Sequence, residues 1–120
     1  MSYDIRFGVR VDGTDKFAVI GAPERDSPTY NNRDIFVKSM DWDYKQGEWY
    51  QMSEVLPKIE RGIHELTFNA DTYRSLEPSN GWGGVSSSLE ALQSIIDWFG
   101  NPWERGWDEE IPLECIYMRW

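Results

Sequence analysis

Near its N-terminus the chain alternates strictly between apolar and polar or glycine positions. Ile5, Phe7, Val9 and Val11 are apolar, while Arg6, Gly8 and Arg10 between them are not. A period of two sets one face of a strand on a core and the other in solvent. Asp12-Gly13-Thr14-Asp15 is turn chemistry, and Lys16 to Ala22 reads as the returning strand of a β-hairpin. From Pro23 to Asn32 the chain is polar and rich in turn formers, so a loop is expected. Asn31 or Asn32 then caps a short helix running to about Met40, with Phe36 and Met40 inward.

Asp41 to Met52 reads as an aromatic loop or a short strand pair around Gly47. The period then becomes helical. Leu56, Ile59, Ile63 and Leu66 form one apolar stripe, with Ser53 as the expected cap and Pro57 tolerable only in the first turn. Gly62 inside that stripe leaves room for another backbone to pack closely. A Pro-, Asn- and Gly-rich loop from Glu77 to Gly84 leads into a third helix, where Ser87 and Glu90 match a capping box. Leu89, Leu92, Ile96 and Phe99 face inward along it until Gly100-Asn101-Pro102 ends it, and Leu113 to Trp120 alternates as a last strand. The sum is an α+β fold in one domain over residues 1–120. A small antiparallel β-sheet, made of the N-terminal hairpin plus the C-terminal strand, packs with about three helices in the order ββ-α-α-α-β.

Charge changes this picture. Twenty-one acids against twelve bases leave a net charge of -9 in 120 residues. Residues 1–38 are neutral, 39–76 carry -3 and 77–120 carry -6. Such a surface repels phosphate backbones, so direct nucleic-acid binding is disfavoured, and it attracts basic partners by long-range steering. The plainer reading is that the charge keeps the protein soluble. No apolar run approaches the roughly 20 residues of a membrane span, and Met1-Ser2-Tyr3-Asp4 does not begin a secretory leader. A cytoplasmic location is the expectation.

Aromatic content changes it again. Six of the seven tryptophans lie between Trp42 and Trp107. Trp98, Trp103 and Trp107 share a short stretch with Asp97, Glu104, Asp108, Glu109 and Glu110. Burying three indoles beside five carboxylates conflicts with the need to keep the acids wet. The candidate partner-binding surface is therefore Trp103, Glu104, Trp107, Asp108, Glu109 and Glu110, against the plainer reading that Trp98 and Trp103 fold into the core. Trp42 and Trp98 are expected to help build the core, and Trp120 to close the last strand.

Catalytic chemistry is hard to assemble. His64, the only histidine, is expected as an exposed i,i+4 neighbour of Glu60. Cys115, the only cysteine, excludes an internal disulfide and is expected as a small core residue of the last strand. Asp41 and Asp43 have ligand-like spacing, but Gln46 and Met52 stand where a calcium loop needs glycine and glutamate. Asp108 and Glu110 read as a solvated acidic turn. Neither a metal site nor a cofactor is expected. The loop Asn80-Gly81-Trp82-Gly83-Gly84 before Ser86 carries a different signal, because glycines allow close approach and free N–H groups at a helix start attract anions. A small nucleotide would place its phosphate there and its base on Tyr44, Trp49 or Tyr50, with Arg6, Arg10 or Arg33 offsetting the charge. The competing reading is a tight loop with Trp82 buried.

The run Met40-Asp41-Trp42-Asp43-Tyr44-Lys45-Gln46-Gly47-Glu48-Trp49-Tyr50, followed by Ser53-Glu54-Val55-Leu56-Pro57-Lys58-Ile59-Glu60-Arg61-Gly62, resembles small proteins encoded by phages and prophages. The resemblance extends over most of the chain and supplies no catalytic motif. It implies a setting in which accessory proteins, many of them acidic, inhibit host defence. Two expectations follow. The first is a non-enzymatic acidic inhibitor that blocks a basic, nucleic-acid-binding site on a host defence protein or nuclease. The alternative is a sponge that sequesters a cyclic or ADP-ribose-type nucleotide at Tyr44, Trp49, Asn80, Gly81, Trp82, Gly83, Gly84 and Ser86. Homo-oligomerisation is compatible with either.

Overall fold

The expected hairpin forms from β1 (Arg6–Arg10) and β2 (Phe17–Gly21). Its turn is closed by Val11 N–H donating to Lys16 O at 2.8 Å and by the Thr14 hydroxyl, which donates to Val11 O at 2.9 Å. The computed structural model describes residues 2–100 and 113–120, with all their side chains except those of Phe99 and Gly100. The hairpin is followed by α1 (Arg33–Met40), β3 (Trp49–Gln51), α2 (Met52–Phe68), α3 (Ala70–Arg74), α4 (Val85–Gly100) and β4 (Ile116–Arg119). The four strands are antiparallel in the order β2-β1-β4-β3, so the C-terminal strand sits between the hairpin and β3. The α+β architecture is the expected one. The fourth strand and α3 are additions to it.

Strand β3 has only three residues, too few to show a period, and its pairing of Tyr50 with Met118 is set by a strand far along the chain. Alternation in β4 turns Ile116, Met118 and Trp120 inward. Cys115 precedes that strand in a single 3-10 turn and is exposed, which corrects the expectation of a core thiol.

Helix α2 begins at Met52, straight out of β3, with Gln51 rather than Ser53 at the cap. Pro57 therefore lies in the second turn. An interior proline costs a helix about 3 kcal/mol, and burial of Met52, Val55, Ile59 and Leu66, at about 1.5–3 kcal/mol for each large apolar side chain, more than offsets it. Gly62 is buried where α1, α2 and α4 meet. A Cβ there would lie 2.7 Å from Leu92 Cδ1 and 2.8 Å from Met40 Cγ, so side chains, not a backbone, occupy the space.

Helix α4 is rotated from the expected face. Ser88, Ala91, Leu92, Ser94, Ile95 and Trp98 are buried, while Leu89 and Ile96 are half-buried. The two serines go inside because Ser88 donates to Gly84 O at 2.7 Å and Ser94 to Ala91 O at 2.8 Å. Trp98 stacks on Phe7 at 4.2 Å between ring centroids, joining helix to sheet. Among the described residues no helix is long and apolar enough to cross a membrane.

The opposite face of the sheet carries its own aromatic cover. Trp49 reaches from β3 to stack on Phe17 of β2 at 4.7 Å and 14°, with the Arg119 guanidinium 5.2 Å from its ring. Gly8 makes this arrangement fit, since a Cβ there would lie 2.9 Å from Trp49 ring atoms and from the Ala18 carbonyl oxygen.

Candidate functional site: an acid-lined groove along α4

Trp82 is 70% exposed, which overturns the reading of a tight loop around a buried indole. Its loop is nonetheless firmly held. Gly81, Gly83 and Gly84 take φ values of 77, 96 and 152°, which side chains rarely adopt. Trp82 N–H donates to Asn80 Oδ1 at 2.9 Å, and Asn31 Nδ2 donates to Trp82 O at 3.3 Å. Asn32 is fully buried, accepts from Gly84 N–H at 2.8 Å and donates to Ser87 Oγ at 3.0 Å. The chain thus fixes the backbone that presents a large apolar ring to water just ahead of α4.

The expected capping box does not form there. Helix α4 starts at Val85, ahead of Ser87, and Val85 N–H donates to Glu77 Oε2 at 3.1 Å. Glu90 instead points to Arg25 at 3.9 Å. Asn32 and Glu77 thus occupy the Gly84 and Val85 N–H groups at the helix start. The Trp82, Gly84 and Val85 N–H groups, among the anion-attracting donors expected here, are used internally.

Trp82 lines the first of three neighbouring depressions. The first depression, about 430 Å³, is lined by Ser2, Ser27, Thr29, Asn31, Asn80 and Trp82. A second, about 290 Å³, shares Ser27 and adds Glu24, Arg25, Asp26, Pro28, Ser87, Glu90 and Ala91. A third, about 330 Å³, shares Glu24, Arg25 and Glu90 and runs past Thr67, Leu89, Gln93 and Ser94 to Asp97. The segment between Glu24 and Thr29 contributes to all three, and α4 forms the facing wall of the second and third. That wall is tied to the N-terminus, with Ile5 N–H donating to Asp26 O and Tyr3 N–H to Pro28 O, each at 2.8 Å. Twelve helical steps from Val85 to Asp97 span about 18 Å, the length of an extended segment of about five or six residues.

The groove is acidic toward its far end. Asp26 is neutralised by Arg6 at 3.0 Å, and Glu90 faces Arg25. Glu24 and Asp97 have no ion pair among the described residues, and Asp97 accepts only from Gln93 Nε2 at 3.1 Å. Asp97 also lies near the C-terminal end of α4, where the helix dipole favours cations. The dipole therefore disfavours the charge there, and the i,i+4 hydrogen bond from Gln93 offsets part of that cost.

The nucleotide set does not converge. Tyr44 is buried, stacked on Trp120 at 4.5 Å and sharing a 2.7 Å hydrogen bond with Tyr3. Burial pushes the hydroxyls of Tyr44 and Tyr3 above the usual tyrosine value. Trp49 covers the far face of the sheet, and Ser86 is exposed on the first turn of α4 without lining the cleft. Only Asn80 and Trp82 of the eight line it, while Gly81, Gly83 and Gly84 shape their loop. Arg6 pairs with Asp4 and Asp26, Arg10 with Asp15 and Arg33 with Asp43, so none of the three faces Trp82. Trp42 packs against the core as expected, and Trp120, expected only to close the last strand, is buried in it; Trp120 Nε1 finds no acceptor among the described residues, so ring contacts hold it. Trp103, Glu104, Trp107, Asp108, Glu109 and Glu110 lie outside the described residues.

Other chemistry is sparse. His64 is exposed against Phe68 at 4.9 Å, Asp41 closes α1 in a left-handed conformation, and Asp43 serves Arg33. Among the described residues no group of three or more His, Cys, Asp or Glu side chains could hold a metal ion. Sequence reasoning missed the wall from Glu24 to Thr29. Its signal was present in Pro23 and Pro28, which bracket four polar residues and favour extended backbone. No family model, curated protein or solved structure matches the chain.

Proposed function

We propose that this chain is a non-enzymatic binding protein whose groove along α4 receives a basic, arginine-bearing segment of a protein partner. The observation that carries this reading is an exposed indole on a hydrogen-bonded loop, next to depressions whose unpaired charges are carboxylates. An arginine suits both ends, because its guanidinium stacks on tryptophan and pairs with carboxylates. A partner that uses such a segment to hold nucleic acid would be occluded, with Glu24 and Asp97 standing in for phosphates. A host defence protein or nuclease is the target class that fits the phage-like setting.

Calorimetry with octa-arginine and octa-glutamate peptides tests this. Octa-arginine is expected to bind one-to-one and to weaken at least tenfold between about 50 and about 500 mM salt, while octa-glutamate gives no heat. Glu24→Gln with Asp97→Asn should lower the octa-arginine affinity several-fold. Glu48→Gln with Glu60→Gln, which changes the net charge equally at exposed positions away from the groove, should leave it within twofold. Equal losses in the two pairs would mean that only bulk charge is being read, and the groove reading would fail.

A further inference from the structure

Strand β2 is terminal in the sheet, and its outer edge faces no strand among the described residues. Its sequence, Phe17-Ala18-Val19-Ile20-Gly21, contains no charge and no proline. Ala18 and Val19 are exposed, Val19 by 55%. Proteins ordinarily blunt such an edge with lysine, proline or an inward charge, because unpaired backbone groups on a flat apolar strand recruit another strand. The opposite edge, β3, has only three residues and holds Gln51 to Glu114 O through its side chain at 2.7 Å.

We infer that two copies of the chain pair antiparallel through the β2 edges, continuing the sheet across a twofold axis at Ala18. In this register Phe17 of each copy lies opposite Val19 of the other, an aromatic and β-branched pair formed twice. Phe17 and Val19 share the outer face with Trp49, since β1 pairs Arg10 with Phe17 and Gly8 with Val19. The Trp49–Phe17 stack thereby continues into a second copy. The bulge that leaves Ile20 unpaired with β1 falls outside the Phe17–Val19 contacts.

Charge selects a second copy as the occupant. At a net charge of -9, two chains repel across any acidic surface. The hairpin is the exception, because Arg10 and Lys16 balance Asp12 and Asp15. The nearest like charges in this register, the two Lys16 side chains, are about 14 Å apart along and across the strands, beyond the roughly 10 Å screening length at 0.1 M salt. A charged partner would find nothing to grip on an edge without charge.

Sedimentation equilibrium tests the pairing. The protein is expected to be dimeric at about 100 μM and to dissociate on dilution, with little change between about 50 and about 500 mM salt. That salt response separates this interface from the groove. Val19→Lys, at an exposed position, should give a folded monomer whose melting temperature matches the wild type at dilutions where both are monomeric and falls below it where the wild type is dimeric. In a Cys115→Ser background, Ala18→Cys should cross-link into a covalent dimer with diamide, which accepts the two thiol hydrogens. A wild-type monomer at every concentration, a dimer indifferent to Val19→Lys, or no cross-link through Cys at position 18 would each overturn the proposal.

Discussion

Trp82→Ala should abolish most binding of an arginine-rich segment while leaving the fold untouched. The indole is 70% exposed and donates no hydrogen bond from its ring among the described residues, so its removal takes almost nothing from the core. Surface changes of this kind alter stability by about 0.5 kcal/mol or less. Anchor tryptophans at interfaces cost about 2–4 kcal/mol when truncated, which is roughly 30- to 700-fold in affinity. Trp82→Phe should recover part of the loss, because a smaller ring still stacks on a guanidinium. Paired thermal melts and calorimetric titrations of the three proteins check this. A Trp82→Ala protein that binds within threefold of the parent would place the anchor elsewhere.

Gly83→Ala should have the converse signature and lose stability and binding together. A Cβ at Gly83 would stand 2.3 Å from Asn32 Oδ1 and 2.6 Å from Thr29 Cγ2, in a backbone with φ of 96°. Strained backbone of this kind costs about 1–3 kcal/mol. Displacing the buried Asn32 adds the cost of unpaired polar groups, about 1–3 kcal/mol more, since its side chain serves both Gly84 and Ser87. The expected loss is about 2–6 kcal/mol in urea denaturation. Gly81→Ala is the control. Its φ of 77° is also unfavourable, but no atom lies within 4 Å of the added Cβ, so about 1–2 kcal/mol is expected. Equal losses in the two proteins would show that the Asn32 wiring contributes little.

These two glycines also mark where local pattern stops being informative. Periodicity located the hairpin, α1, α2, α4 and the last strand, because each buries a face whose spacing is written in consecutive residues. It did not place β3, whose pairing with β4 joins segments far apart in the chain. Nor did it reveal the start of α4, which is capped by Glu77 and by Asn32 from across the fold in place of Ser87 and Glu90. The inward serines rotated the expected face of α4 because each hydroxyl can satisfy itself on its own helix. The indoles show the same division. Trp42 and Trp98 were legible as core, whereas Trp49 and Trp82 are both loop-adjacent aromatics in sequence and have opposite fates. Trp49 lies down on Gly8 and Phe17, while Trp82 is held in solvent. What separates them is the tertiary partner, and no residue near either one encodes it.

The acid-lined groove was legible only as charge. Glu24, Glu90 and Asp97 are scattered through the sequence, and the fold gathers them along one helix beside a wall pinned to the N-terminus. Nuclear magnetic resonance titration of the isotope-labelled protein with octa-arginine reads that gathering directly. The Trp82 indole N–H and the backbone amides of Glu24, Glu90 and Asp97 should shift along one shared saturation curve and return to their free positions at about 500 mM salt. Shifts that leave these four groups unmoved, or that persist unchanged at high salt, would contradict the groove as the binding site.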